Sequence, residues 1–213
     1  LVTGRMQRHG ITQRRSPMVM LVAVLLLAGC RSAPPQPVLP PTTQRVLLDS
    51  LAIPVSAEEN RAVSFTNKQS AFYYTQTHRN DHPEHASFRG FNIAGRRVFS
   101  DYRLIVAGAA LDPQEATAIV RPDALIRTYP QGITETLRLF DGQDVVEVEV
   151  SGANGDVRLQ LSGDTVKHVQ SQPDIDEYTA AQEGNPGTVD YIVVGRSGDG
   201  MLIAVGSSSE AAR

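Results

Sequence analysis

The residues with the greatest potential for chemistry lie in one stretch, residues 72–102. Three of the five histidines, at positions 78, 82 and 85, fall within eight residues of one another. Acids, amides and an arginine are interleaved with them, and eight of the twelve aromatic residues lie between Phe65 and Tyr102. Because such a polar cluster is poor material for a core strand, we predict a binding loop held by a rigid scaffold.

The spacing of the three histidines raises the question of a metal site. On a helix they would share one face and could bind zinc. Pro83 lies within the segment, however, and Asn80 with Asp81 favours a turn, so a helical zinc site is not expected. A loop site for a divalent cation, completed by Asp81 or Glu84, stays open, as does a solvated loop whose acids pair with its own arginines. We predict no cofactor and assign no metal ligand.

A carbohydrate is the ligand that best fits this stretch. Sugars are recognised by hydrogen bonds from carboxylates and amides and by apolar side chains against their faces, which Phe88 and Phe91 could supply. The predicted substrate-binding residues are His78, Asn80, Asp81, His82, Glu84, His85, Arg89 and Asn92. No catalytic residue is assigned, because a glycosidase needs two carboxylates at a set separation and the sequence fixes no such pair.

The first thirty residues have the pattern of an export signal. Four arginines precede an uncharged apolar run, 18–28, which is too short to span a membrane and ends at Leu27-Ala28-Gly29-Cys30. This ending resembles the bacterial lipobox, so Cys30 is predicted to carry the lipid; a buried cysteine closing an apolar helix is the alternative. Arg31 after the cysteine favours, by analogy with lipoprotein sorting, the outer membrane. We therefore expect a lipid-anchored protein of the bacterial cell envelope, facing the periplasm or the surface.

The remaining chain divides into a tether, one domain and a short tail. Residues 31–45 are predicted to be the tether, since five prolines fall between positions 34 and 41. Residues 46–205 are predicted to be the domain, and residues 206–213 the start of a helix leading to a C-terminal domain that is missing here. Four of the 20 basic residues precede Cys30, and the other 16 are outnumbered by 23 acidic residues. That balance argues against a nucleic-acid partner.

Alternation of apolar and polar residues predicts that the domain is all-β. Residues 133–140, 146–150 and 157–161 alternate with period two, and Asp-Gly at 141–142 and Asn-Gly at 154–155 favour hairpins between them. Further strands are expected at 61–66, 71–77, 97–107, 118–120, 124–129, 190–195 and 201–205. Residues 173–187 are expected to form a long surface loop, and residues 46–55 fit a strand or a short helix. Together these segments predict a large antiparallel β-sandwich of about ten strands, after the signal segment and the Pro-rich tether.

Two parts of the sequence resemble one known family. They are THRNDHPEH at 77–85 with FRGFNIAGRRVF at 88–99, and YPQGITETL at 129–137 with LFD at 139–141. Both are similar to the N-terminal domain of bacterial glycogen-debranching (amylo-alpha-1,6-glucosidase-type) glycoside hydrolases, over about residues 61–205. The resemblance implies a β-sandwich that precedes an α/α toroid, and it places the catalytic acid and base in that toroid.

The resemblance implies a non-catalytic module of an exported, lipid-anchored hydrolase acting on α-glucans. Its polar loop would line the catalytic domain's pocket or pack against that domain, and this chain alone would be inactive. The expected partners are an α-glucan or oligosaccharide, the missing catalytic domain, and the membrane through the lipid on Cys30. Two alternatives stay open: a complete carbohydrate-binding surface lipoprotein without enzyme activity, and a purely structural sandwich.

Overall fold

The computed structural model describes residues 41–182, 185, 187–197, 200–207 and 212. The predicted signal segment with Cys30, most of the tether and most of the predicted C-terminal helix therefore lie outside the described residues. Within the described part, no helix is both long enough and apolar enough to cross a membrane.

A single α-helix, α1 (Pro41–Ser50), opens the described part of the chain. Proline is favoured in the first turn of a helix, where its missing N–H would have no intrahelical partner. The helix therefore includes residues 41–45, which we had expected in the tether, and none of its side chains is buried. A three-residue strand at 53–55 follows it, so the ambiguous segment 46–55 contains both a helix and a strand.

The rest of the described chain forms strands joined by turns and by two short 3₁₀ helices, Pro83–His85 and Pro113–Glu115. The strands are β1 (Ile53–Val55), β2 (Ala62–Thr66), β3 (Ala71–Gln76), β4 (Gly90–Ile93), β5 (Arg96–Phe99), β6 (Asp101–Val106), β7 (Ala109–Ala110), β8 (Thr117–Val120), β9 (Leu125–Thr128), β10 (Thr134–Leu139), β11 (Val145–Ser151), β12 (Val157–Ser162), β13 (Val166–Gln172), β14 (Ile175–Ala181), β15 (Val189–Ser197) and β16 (Gly200–Gly206).

These strands form three antiparallel sheets. The largest has nine strands in the order β1-β8-β9-β10-β11-β16-β15-β14-β13, the second has the order β2-β3-β4-β5, and the third has the order β12-β6-β7. The prediction of an all-β antiparallel sandwich is confirmed. The described strands number sixteen rather than about ten, partly because strands of two to four residues are too short to show a periodic pattern.

Of the two hairpins predicted from the alternating segments, the one between β10 and β11 is confirmed and the one between β11 and β12 is wrong. Leu137 pairs with Val148 across β10 and β11, whereas Leu159 of β12 pairs with Leu104 of β6 in another sheet. The chain turns away after β11 at Gly152, whose φ of +73° suits glycine and whose Cβ position would lie 2.4 Å from a backbone oxygen. Alternation of apolar and polar residues with period two indicates a half-buried strand but does not identify the strand with which it pairs.

The prediction of a surface loop over residues 173–187 is also wrong. Residues 166–172 and 175–181 form a hairpin, β13–β14, whose turn is Pro173-Asp174. Because β13 is an edge strand with almost every residue exposed, its sequence lacks the apolar alternation of a half-buried strand. On β14, Tyr178 and Ala180 are buried and attach the hairpin to the core.

The core contains the inward side chains of all three sheets. Val146, Val148 and Ile203 of the nine-stranded sheet are inaccessible to solvent. Aromatic rings of the four-stranded sheet complete this core, with the centroids of Phe91 and Phe99 5.7 Å apart. The core fixes the ends of β3 and β4, between which the polar stretch lies.

Candidate functional site

The segment between β3 and β4, residues 77–89, forms one connected loop that we call the polar loop. Its second half contains the 3₁₀ turn Pro83–His85, in which the N–H of Ala86 donates to the carbonyl of Pro83 at 3.2 Å. Gly90 ends the loop with a φ of +92°, and a Cβ there would lie 2.0 Å from the carbonyl oxygen of Phe99. Only glycine fits this position, so the return of the loop into the sheet is fixed.

The first half of the polar loop is part of the protein's framework. The side-chain oxygen of Asn60 accepts hydrogen bonds from the N–H groups of His78 and Arg79, both at 3.1 Å. The Asn80 side chain accepts from the N–H of Gln76 at 2.8 Å and donates to the carboxylate of Asp101 at 2.8 Å. These bonds hold residues 77–80 against the end of β3.

His78 is buried within this half, with 2% of its surface exposed. Its Nδ1 lies 3.0 Å from the hydroxyl of Thr77, whereas its Nε2 has no hydrogen-bond partner within the described part of the chain. Burial first, and then the charge of Arg127, lower the pKa of His78; the backbone of Ala116 and the charge of Glu58 partly oppose them. His78 is therefore a neutral imidazole at neutral pH.

The second half of the polar loop is exposed. Asp81 pairs with the guanidinium of Arg79 at 2.8 Å. One ligand atom from each of His82, Glu84 and His85 lies within 4.8 Å of the others. The predicted histidine cluster is thus divided: His82 and His85 converge with Glu84, and the buried His78 belongs to the framework.

Two residues that we expected on the ligand-facing side are inside the protein. Phe91 is completely buried in the core, and Asn92 is 2% exposed, with its amide donating to the carbonyls of Phe88 and Gly90. Both side chains therefore face the protein interior and not the ligand-facing side of the loop, where the sequence predicts them. Phe88 does lie at the surface, 38% exposed. Arg89 donates to the carbonyl of Asn80 and joins the two halves of the loop.

A buried ion pair beside the loop was missed from the sequence. Glu135 and Arg127 face each other across β10 and β9, with 1% and 6% of their surfaces exposed and 3.1 Å between the paired atoms. Glu135 also accepts from the hydroxyls of Tyr129, at 2.5 Å, and Tyr102. We call these four residues the carboxylate network. The sequence held a signal for it, since Glu135 falls in phase with apolar residues 133 and 137 of its strand.

The side-chain polar atoms of the carboxylate network all have hydrogen-bond partners. The other nitrogens of Arg127 donate to the carbonyls of Thr77 at 2.8 Å and Gln76 at 3.0 Å, so the network supports the first half of the polar loop. Burial, followed by the charge of Glu135, raises the pKa of Tyr102 and of Tyr129. Burial alone would lower the pKa of Arg127, but the Glu135 charge raises it above the ordinary value. Both hydroxyls therefore stay protonated and donate to Glu135.

A polar pocket of about 250 Å³ lies where the first half of the loop meets the network. This volume is just below the roughly 300 Å³ at which typical small-molecule sites begin. Besides the four network residues, the groups that line it include His78, Arg79, Asn80, Asp101, Arg103 and Asp112. The pocket thus combines donors and acceptors, and its wall includes His78, whose Nε2 has no hydrogen-bond partner among the described residues.

Comparison of this chain with protein-family models, with curated proteins and with solved structures finds no match in any of the three. Function is therefore inferred from the residues of the polar loop, the carboxylate network and the polar pocket.

Proposed function

We propose that this chain is the non-catalytic β-sandwich of an exported, lipid-anchored glycoside hydrolase of the glycogen-debranching type, which acts on α-glucans. The observation that carries the proposal is the position of segment 77–85. Its first residues line a polar pocket, and its last residues continue from the pocket wall to the protein surface. The same segment carries the resemblance to that family.

The chemistry of the pocket supports a hydroxyl-rich ligand. Each sugar hydroxyl can donate one hydrogen bond and accept two, so a sugar suits a pocket in which donors and acceptors alternate. Arg79 and Arg103 supply donors, and Asp101 and Asp112 supply acceptors. Phe88, at the edge of the polar loop, offers an apolar face on which a sugar ring or a neighbouring domain could pack.

The hydrogen bonds of the pocket's acids support a non-catalytic role. Glu135 accepts from Arg127 and two tyrosine hydroxyls, all of which are anchored in the protein. Asp101 accepts from the amide of Asn80 and from a backbone N–H at 2.9 Å. A glycosidase needs one carboxyl that gives a proton and a second that reacts or activates water. We therefore place the acid and base of the proposed hydrolase in a separate catalytic domain.

A second candidate is a complete carbohydrate-binding surface lipoprotein without enzyme activity. The observation that favours it is that the β-domain forms a polar pocket with hydrogen-bond donors and acceptors of its own. The two candidates differ in what a pocket variant does to hydrolysis, because only the first couples this pocket to a catalytic domain.

The deciding experiment measures glucan binding and glucose release in parallel. We expect short α-glucan oligosaccharides to bind the 213-residue chain, Arg103→Gln to weaken that binding, and no glucose to be released. The matched control is Arg158→Gln, which removes an exposed arginine outside the pocket. Reproducible glucose release by the chain would contradict the non-catalytic assignment, and equal binding by both variants would contradict the pocket.

The proposed anchor has its own test. Cys30→Ser removes the only thiol of the chain and with it the proposed attachment site of the lipid. We expect the variant to leave the membrane fraction and to keep its signal segment. Unchanged fractionation together with an unchanged mass would contradict the anchor.

A further inference from the structure

We propose that the exposed half of the polar loop binds a transition-metal ion, with Zn²⁺ as the best fit, through His82, Glu84 and His85. The three side chains converge on one point at the surface, and one ligand atom from each lies within 4.8 Å of the others. The inference goes beyond the proposed function and does not depend on it, because the metal site would form whether or not the chain binds a glucan.

The local backbone explains why these side chains converge. Pro83 starts a 3₁₀ turn that ends at His85, and His82 occupies the position before it. In a 3₁₀ turn, side chains three residues apart lie almost directly above one another. Residues 82 and 85 therefore lie on the same side of the turn, and their ring centroids are 5.1 Å apart. The proline that argues against a helical zinc site thus creates a different pairing of the histidines.

The ligand atoms of His82, Glu84 and His85 are close enough together to coordinate one zinc ion after small side-chain movements. Zinc binds histidine nitrogen at about 2.0–2.1 Å, so the ligand atoms of a tetrahedral site are about 3.4 Å apart. Bringing the ligand atoms from separations of up to 4.8 Å to this spacing requires side-chain movements of only about an ångström. His82 and Glu84 are exposed and can change rotamer to make this movement.

His85 is already held in place. Its ring packs against Tyr74 and Phe88, with centroid separations of 5.3 Å and 5.6 Å. Its Nδ1 is buried and has no hydrogen-bond partner within the described part of the chain. A buried polar atom without a partner is costly, and a metal ion at that nitrogen would remove the cost. The ring of His85 is therefore held in place, and the exposed side chains of His82 and Glu84 can move toward an ion beside it.

The ligand types select the class of metal. Two imidazoles and one carboxylate suit Zn²⁺ and its neighbours among the transition metals, whereas Ca²⁺ and Mg²⁺ prefer oxygen ligands. Asp81 is paired with Arg79 and lies outside the set. Three protein ligands leave a fourth tetrahedral position for water or for an oxygen of a bound molecule, as in open zinc sites.

The test uses the 213-residue chain carrying Cys30→Ser, so that its thiol cannot bind the added metal. Co²⁺ is titrated and followed by visible absorption, and Zn²⁺ is then added to displace it. We expect one Co²⁺ per chain with the intense absorption of tetrahedral coordination. His82→Ala and Glu84→Gln should each weaken binding at least about tenfold, since even loss of an outer-shell partner costs about that much. The matched control is His168→Asn, an exposed histidine of β13 outside the cluster, which should leave binding unchanged.

A second measurement separates binding from folding. The thermal midpoints of the metal-free variants should match that of the parent chain, because His82 and Glu84 are exposed. Added Zn²⁺ should raise the midpoint of the parent chain and of His168→Asn, but not of His82→Ala. Equal Co²⁺ affinity in His82→Ala and the parent chain, absence of tetrahedral absorption, or binding of Mg²⁺ and Ca²⁺ only would each overturn the proposal.

Discussion

Two polar clusters lie in neighbouring parts of this molecule, and they differ in whether their groups have partners. In the carboxylate network, Glu135 is almost fully buried and accepts from Arg127 and two tyrosine hydroxyls. In the exposed half of the polar loop, Glu84 and His82 face solvent, and His85 keeps a buried nitrogen without a partner within the described residues. The polar groups of the carboxylate network therefore have hydrogen-bond partners, whereas the exposed half of the polar loop retains groups that can bind a ligand.

This difference separates architecture from a candidate site. A buried ion pair is stabilising only where further hydrogen bonds satisfy its remaining groups, and Arg127 has such bonds to the carbonyls of Thr77 and Gln76. Tyr102 comes from β6, Arg127 and Glu135 come from β9 and β10, and Arg127 donates to the carbonyl of Gln76 in β3, so the network links all three sheets. Polar density alone does not mark a functional site, and unsatisfied groups within reach of a ligand are the more informative sign.

The largest expected effect follows from breaking the network. Glu135→Gln keeps the shape of the side chain but leaves Arg127 as a buried charge without a counter-charge, so we expect a loss of about 3–5 kcal/mol in the free energy of unfolding. Urea denaturation measures it. The matched control is Glu149→Gln, in an exposed pair with Arg138, which should cost less than about 1 kcal/mol. If the two variants lose the same amount, the network does not stabilise the fold.

A smaller effect is expected from the apolar core behind the network. Val148 is completely buried in β11, and Val148→Ala removes two methyl groups from a site that cannot collapse freely. We expect the variant to lose about 1–3 kcal/mol in urea denaturation. Val169→Ala, at a position 56% exposed on β13, should stay within about 0.5 kcal/mol of the parent chain. Glucan binding should be unchanged in both variants, and a specific loss of binding in Val148→Ala would contradict the separation of core from site.

His78 lies in the buried half of the polar loop, close enough to Arg127 of the carboxylate network to feel its charge, and should make stability depend on pH. Burial and the charge of Arg127 lower its pKa in the folded state below the ordinary 6.5, so the unfolded chain takes up this proton first as pH falls. The stabilisation that neutral His78 adds to the free energy of unfolding is therefore fully present above about pH 6.5. It is lost as pH falls through the folded-state pKa of His78. His78→Gln should flatten this part of the profile of unfolding midpoint against pH. Identical slopes for the parent chain and His78→Gln would show that His78 does not titrate in the way its burial implies.

The sequence predicted the class of fold and the long strands, and it failed where strands meet unusual neighbours. β10 and β11 alternate over six or seven residues with one buried face, which makes them recognisable. β12 has the same pattern but joins another sheet, and the edge strand β13 has almost no buried face. Strand pairing depends on how distant segments pack, and periodicity contains no information about that.

For the candidate site, the sequence located the loop but not the burial of its residues. His78 and Asn92 carry polar side chains like those of their neighbours. The N–H of His78 donates to Asn60, the amide of Asn92 donates to the carbonyls of Phe88 and Gly90, and these bonds hold both residues inside. The convergence of His82 with His85 depends on the 3₁₀ turn at Pro83. From the sequence alone, Pro83 indicates only that the segment is not a helix. Glu135 could have been suspected as an acid in the apolar phase of a strand, but its tyrosine partner at position 102 lies 33 residues away.

The smallest expected effect on stability belongs to the exposed cluster. Changing Asp81→Asn and Glu84→Gln together alters two exposed side chains, so the free energy of unfolding should change by less than about 0.5 kcal/mol. If the polar loop contacts the glucan, the same variant should weaken glucan binding, or turnover in a protein that includes the catalytic domain, about tenfold or more, roughly 1.4 kcal/mol. The matched control, Asp141→Asn with Glu149→Gln, makes the same change in charge at two exposed positions on the hairpin of β10 and β11.

The single variants Asp81→Asn and Glu84→Gln distinguish glucan binding from metal binding. Asp81 is paired with Arg79 outside the proposed zinc ligands, so Asp81→Asn should weaken glucan binding and leave Co²⁺ affinity unchanged, whereas Glu84→Gln should weaken both. Each variant is measured by oligosaccharide titration and by Co²⁺ titration. If the double variant keeps full glucan binding and turnover while losing stability, the exposed cluster is scaffold like the carboxylate network. In that case the contrast between a satisfied and an unsatisfied cluster does not mark function in this protein, since both would serve only to hold the sandwich together.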